Sequence, residues 1–136
     1  MMLLPIVASA YDAEINGVFY EFDTNTREAT VTFGDVKCTG SVTIPETVTY
    51  NDLTYSVTSI GTNAFTYCSE LTSVTIPNSV SFIGEQAFSW CSSLRHVYCY
   101  AESVPKTKSN VFEHTSVSFS TLHMPAASIE TYKVTS

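Results

Sequence analysis

Ile60-Gly-Thr-Asn-Ala64-Phe65-Thr-Tyr-Cys68-Ser-Glu-Leu71 recurs 23 residues later as Ile83-Gly-Glu-Gln-Ala87-Phe88-Ser-Trp-Cys91-Ser-Ser-Leu94. The same offset continues through Val74/Val97 and Ile76/Cys99. Working outward, Ser41-Val-Thr-Ile-Pro45 recurs as Ser73-Val-Thr-Ile-Pro77. A third copy has a changed loop, with Asn110-Val-Phe112 where Asn-Ala-Phe stood. Leu122-His-Met124-Pro125 repeats the Val-x-Ile-Pro pattern once more. Self-similarity at a fixed short period marks a repeat architecture, in which each unit is one supersecondary element.

Each unit has a physical reading. Val-Thr-Ile alternates apolar, polar, apolar, which suits a short strand with one buried face. The proline that follows ends it, because proline has no N–H for a ladder. Ser56-Val-Thr-Ser-Ile60 and Ser79-Val-Ser-Phe-Ile83 predict a second extended segment. Gly61 and Gly84 mark a turn, and Ala64-Phe65 and Ala87-Phe88 are expected on a short helical turn with Phe plugging the core. No unit buries its Val, Ile, Phe and Leu alone, whereas stacking at about 4.8 Å per rung closes a shared core. The alternation predicts Val42, Ile44, Val74, Ile76, Val97 and Cys99 buried, with Thr43, Thr75 and Tyr98 outward.

The spacing from Pro45 to Pro77 is 32 residues, nine more than the period of 23. The inserted stretch alternates around Asn51-Asp52 and predicts a β-hairpin with its turn there. Upstream, Asn16-Gly17 and Thr24-Asn-Thr-Arg27 are two further turns between alternating segments. Residues 11–40 are therefore expected to form an N-terminal β-hairpin cap, which a stack of repeats needs over its first rung. Residues 41–136 are expected to hold about four rungs, the last one partial. Residues 1–10 are apolar and end in Ala8-Ser9-Ala10, a small-x-small cleavage pattern, so they read as a signal-peptide remnant. No Lys or Arg precedes Arg27, so a positive n-region is missing, and a short N-terminal strand packed on the domain is the alternative.

The unit Val-Thr-Ile-Pro-x-Ser-Val-x-x-Ile-Gly-x-x-Ala-Phe-x-x-Cys-x-x-Leu resembles the BspA-like leucine-rich repeats of secreted and surface proteins from anaerobic gut and oral bacteria. The resemblance extends over about residues 14–133, including Leu122-His-Met-Pro-Ala-Ala-Ser-Ile-Glu-Thr-Tyr-Lys133. It implies a β-rich solenoid, a leucine-rich-repeat-like right-handed coil of short strands and short helical turns. It also implies an adhesion or protein-interaction module, secreted or held at the bacterial cell surface.

The balance of charge narrows the partners. Six Lys+Arg against thirteen Asp+Glu give a net charge of -7. That leaves too few cations to displace counterions from nucleic acid, and none to spare for an anionic membrane. No apolar run reaches membrane-spanning length, so no membrane insertion is expected. The expected state is a monomer.

Candidate chemistry is sparse. Cys68 and Cys91 share a repeat position and stack on adjacent rungs, but parallel side chains suit disulfide geometry poorly. Cysteines as small buried hydrophobes are the favoured reading for three of the four, Cys38, Cys68, Cys91 and Cys99. No Cys-x-x-Cys, Gly-x-Ser-x-Gly, P-loop or dinucleotide motif occurs, so no catalytic residue, metal or cofactor is expected. Phe65, Phe88 and Trp90 recur at repeat spacing, which makes the core their default place. Tyr67 and the other tyrosines read as scattered, and His114 as an uninterpreted loop residue.

In repeat register the outward strand columns run Ser41, Ser73, His96, Thr121 and Thr43, Thr75, Tyr98, His123. The last rungs carry an aromatic and two imidazoles where the first carry hydroxyls. No Asp or Glu shares these columns to complete a metal site. His96, Tyr98, His123, Thr121 and Thr75 are the candidate ligand face, for a protein or a glycan. The competing expectation is a structural spacer, or a fragment of a longer repeat array.

Overall fold

A computed structural model describes residues 11–101 and 105–115, and the backbone alone of 121–123. Residues 1–10, expected to be a signal-peptide remnant, lie outside the described residues, as do residues 124–136.

The chain begins with an antiparallel meander. Strands β1 (Ala13–Ile15) and β2 (Val18–Asp23) pair with Ile15 opposite Val18. Between them Asn16 and Gly17 have φ of 51° and 82°, the left-handed pair that a two-residue hairpin turn demands. β3 (Glu28–Thr32) continues antiparallel on β2. The chain then crosses to a second sheet at β4 (Gly40–Thr43) and returns as a hairpin of β5 (Thr47–Tyr50) and β6 (Leu53–Ile60). Its turn is Asn51-Asp52, both left-handed at φ 49° and 62°, where the sequence placed it. Phe22 of β2 stacks on Tyr50, with centroids 4.6 Å and planes 10° apart, and lies against Tyr55. This aromatic contact ties the meander to the hairpin.

From β3 onward the chain alternates between two sheets. β3, β6, β8 (Phe82–Ile83) and β10 (Lys106–Thr107) are parallel neighbours in one. β4, β7 (Leu71–Ile76), β9 (His96–Cys99) and β11 (Thr121–His123) are parallel neighbours in the other. In that second sheet Val42, Val74, Val97 and Leu122 stand in one row. The sequence period of 23 thus becomes a strand register, because equivalent residues must fill equivalent places against a shared core.

Burial follows the alternation with one exception. Ile44, Val74, Ile76, Val97 and Cys99 are buried, along with Leu71 and Leu94. Val42, expected to be buried, is only half-buried. Among the described residues β4 is the edge of its sheet, with β7 as its one strand neighbour. Val42 instead lines an open cleft of about 390 Å³ with Phe19, Val36, Lys37 and Cys38.

The helical turns expected at Ala64-Phe65 and Ala87-Phe88 do not form, and no helix occurs among the described residues. The loops are chains of tight turns instead. Ala64 N donates to Gly61 O, Thr66 N to Asn63 O and Cys68 N to Phe65 O. Asn63 and Tyr67 in the first loop, and Gln86 and Trp90 in the second, have left-handed φ of 54° to 60°. A left-handed residue every fourth position prevents continuous helix. The freed backbone bonds the next rung: Phe65 N to Ala87 O at 2.7 Å, and Phe88 N to Val111 O at 2.8 Å.

Candidate interaction surfaces

The second sheet aligns the candidate ligand face. Ser41, Ser73, His96 and Thr121 stand in one backbone column, and Thr43, Thr75, Tyr98 and His123 in the next. Ser73 Oγ donates to Ser41 Oγ at 2.7 Å, a rung-to-rung hydroxyl bond. The His96 and Tyr98 rings lie 6.0 Å apart with planes at 27°. His96 is exposed, while Thr75 and Tyr98 are half-buried. The backbone places Thr121 and His123 in the predicted columns, but their side chains lie outside the described residues. Among the described residues no group of three or more His, Cys, Asp or Glu is placed to hold a metal ion.

A second surface was not foreseen. Phe65, Phe88 and Phe112 stack inward, with centroids 5.1 Å and 5.5 Å apart. Two residues beyond each of them stand Tyr67, Trp90 and His114, which form an outer stack. Tyr67 and Trp90 are 5.6 Å apart at 12°, and Trp90 and His114 are 4.1 Å apart at 24°. Trp90, expected in the core, is 43% exposed, and Tyr67 is 58% exposed. The left-handed backbone at each of these residues turns the side chain away from the core that its Phe neighbour fills. The usable signal in the sequence was the aromatic at Phe plus two in every copy. It was hidden by the one-residue shift of the third copy, His114 being 24 rather than 23 residues after Trp90.

The loops beneath this outer stack are held rung to rung. Tyr67 N donates to Ser89 O at 3.0 Å and Trp90 N to Glu113 O at 2.9 Å. Thr66 Oγ1 and Ser89 Oγ share a hydrogen bond of 2.7 Å, and Gln86 Nε2 donates to Glu113 Oε2 at 3.0 Å. The backbone at Tyr67 (φ 59°), Trp90 (φ 59°) and His114 (φ 55°) is a place that physics gives to Gly or Asn. A left-handed non-glycine residue costs about 1–2 kcal/mol. A stacked ring pair returns about 0.5–1.5 kcal/mol. The two nearly cancel, so the outer stack adds little to stability.

All four cysteines are free thiols. Cys68, Cys91 and Cys99 are buried, and Cys38 is half-buried with its thiol donating to Gly17 O at 3.3 Å. Cys38 is a neighbour of Cys68, and their interaction raises the pKa of Cys38 and lowers that of Cys68. Burial pushes Cys91 up to about 12.

Compared with protein families, residues 31–134 match the BspA type leucine rich repeat region in six copies. Among curated proteins nothing matches. Among solved structures the chain is similar to a leucine-rich repeat protein from Bacteroides capillosus ATCC 29799, at 26% identity and TM-score 0.64, over 84% of this chain and 98% of that one. It is similar to a leucine rich cell surface protein from Faecalibacterium prausnitzii A2-165, at 31% identity and TM-score 0.56, over 68% of this chain. It is also similar to a leucine-rich repeat protein from Bacteroides ovatus ATCC 8483, at 25% identity and TM-score 0.61, over 86% of this chain. The chain spans 24% of the Faecalibacterium protein and 38% of the Bacteroides ovatus one.

Proposed function

Because this chain belongs to the BspA-type leucine-rich repeat family, we propose that it is a non-catalytic binding module, secreted or displayed at a bacterial cell surface. Its units wind as a right-handed solenoid, closed at the start by the β1–β3 meander. Its partner is a protein or a glycan, held by side chains that repeat at one place on every rung. The observation that carries this reading is the register. Equivalent positions line up in backbone register across four strands of the second sheet and across three loops, and on the described strands β4, β7 and β9 and the loops one partner meets a row of side chains on a fixed backbone. A rigid row costs little ordering entropy when a partner binds. The surface location draws on the cell-surface description of the Faecalibacterium relative.

The short span of this chain against two of its relatives favours a second reading, a spacer or a piece of a longer array without a ligand of its own. Biolayer interferometry of the purified chain against host matrix proteins and mucin glycans separates the two. Saturable binding to any of them supports the module. Flat responses throughout favour the spacer.

A further inference from the structure

We propose that the Tyr67–Trp90–His114 stack, with the glutamates of its loops, is a docking ridge for a basic protein segment. This rests on reading the chain as a binding module and assigns it a surface other than the strand face. Three observations converge. The rings are exposed yet fixed, each stacked on the next at 5.6 Å and 4.1 Å. Tyr and Trp are the residue types that carry interface energy, and rings already locked in place lose little freedom on binding. The backbone under each ring is left-handed, where a smaller residue would sit without strain, and such outliers in folded chains collect at sites of function.

The third observation selects the partner. Residues 62–70, 85–93 and 109–115 each contain one glutamate, namely Glu70, Glu85 and Glu113, and no Lys or Arg. Glu113 Oε1 stands 3.7 Å from His114 Nε2, and Glu70 and Glu85 are exposed. Of the cations that flank these loops, Lys37 is held on Thr66 O at 3.0 Å and Arg95 on Ser92 O at 3.3 Å, while Lys108 is exposed at the start of the third loop, so the first two loops carry the acidic character of the ridge. The whole chain adds to this a net charge of -7. Guanidinium and ammonium groups bind both aromatic rings and carboxylates. A segment bearing Arg and Lys therefore fits this ridge, and complementary charge steers it there.

Trp90 is the one tryptophan of the chain, so its emission reports directly on the ridge in the unaltered protein. A displayed library of short random peptides is panned on the purified chain, and selected peptides are titrated while Trp90 emission is followed. The expected result is an excess of Arg and Lys in the selected peptides and a saturable emission change. Affinity should weaken about tenfold or more in the Tyr67→Asn/Trp90→Asn variant, read by interferometry, and with added salt. Glu70→Gln/Glu85→Gln/Glu113→Gln is a second variant that leaves the rings in place and should lose the salt dependence. Peptides without cationic excess, or binding unchanged in both variants, overturn the proposal. A Trp90 response to neutral mucin glycans but to no peptide overturns it in favour of a glycan ridge. Binding to matrix proteins with Trp90 silent overturns the ridge and leaves the binding module standing. No binding to any probe overturns both.

Discussion

The ring of Phe88 lies 5.1 Å from that of Phe65 with the planes 5° apart, one rung above it and fully buried. Phe112 extends the stack at 5.5 Å. Phe88 is therefore covered on both faces, and removing it opens a cavity between two rungs. Phe88→Ala should cost about 3–5 kcal/mol by lost transfer energy plus cavity. Urea unfolding checks this: an unchanged midpoint would remove Phe88 from its structural role.

Gly84 shows a different kind of closeness. A Cβ built on it would lie 2.5 Å from Thr62 N and 2.7 Å from Gly61 C, both main-chain atoms of the preceding rung. Backbone cannot swing aside as a side chain can. Gly84→Ala should destabilise by about 3 kcal/mol, at the upper end of overpacking costs. At Gly61 the nearest atoms are Val31 O at 3.0 Å and Thr30 Cγ2 at 3.2 Å. Gly61→Ala should cost about 1 kcal/mol. Denaturation midpoints in the reverse order would mean that rung spacing relaxes at Gly84.

The strand register was legible because it follows from two periods that sequence displays directly, the repeat of 23 and the alternation of two. Val74 beside Val97 and Thr75 beside Tyr98 needed nothing more. Val42 was misread because burial of a strand depends on having a neighbour on each side, and a periodic pattern does not say where the stack begins. The loops were misread for another reason. Ala-Phe with a Gly upstream suits a helical turn locally, but the N–H groups of Phe65 and Phe88 bond across rungs instead of along the chain. Trp90 was misread for a third reason: recurrence at repeat spacing marks a position as equivalent from one copy to the next, not as inward, and Trp90 recurs two residues beyond the inward Phe88, on the exposed side of the loop.

Two buried acids make stability fall on the alkaline side. Burial raises Cys91 from 9.0 to about 12 and Tyr20 from 10.0 to about 12. Both are neutral in the folded chain where the unfolded chain has begun to ionise. The contribution of Cys91 is whole below pH 9 and that of Tyr20 below pH 10, and both are lost as pH climbs toward 12. Urea midpoints measured from pH 8 upward should drop across this window. Cys91→Ala should flatten the earlier part of the fall, and Tyr20→Phe the later part. A midpoint constant to pH 11 in the parent would contradict the neutral burial of both groups.

Trp90 tests whether the outer stack serves stability or contact. Its left-handed backbone, φ 59°, is easy for Asn and hardest for a β-branched residue. Trp90→Asn loses the rings of Tyr67 and His114 as partners but relieves the backbone, so the two terms offset. The expected change is within about 1 kcal/mol of the parent. Trp90→Val loses the same stacking and adds strain, so it should lie about 2 kcal/mol below the Asn variant. Urea unfolding of the two variants side by side reads the difference without needing a ligand. Equal midpoints would show that the backbone at residue 90 is not left-handed in solution. If Trp90→Asn alone cost 3 kcal/mol or more, on the order of a large core truncation, the stack would be a structural device. Its exposed rings would then need no partner to explain them.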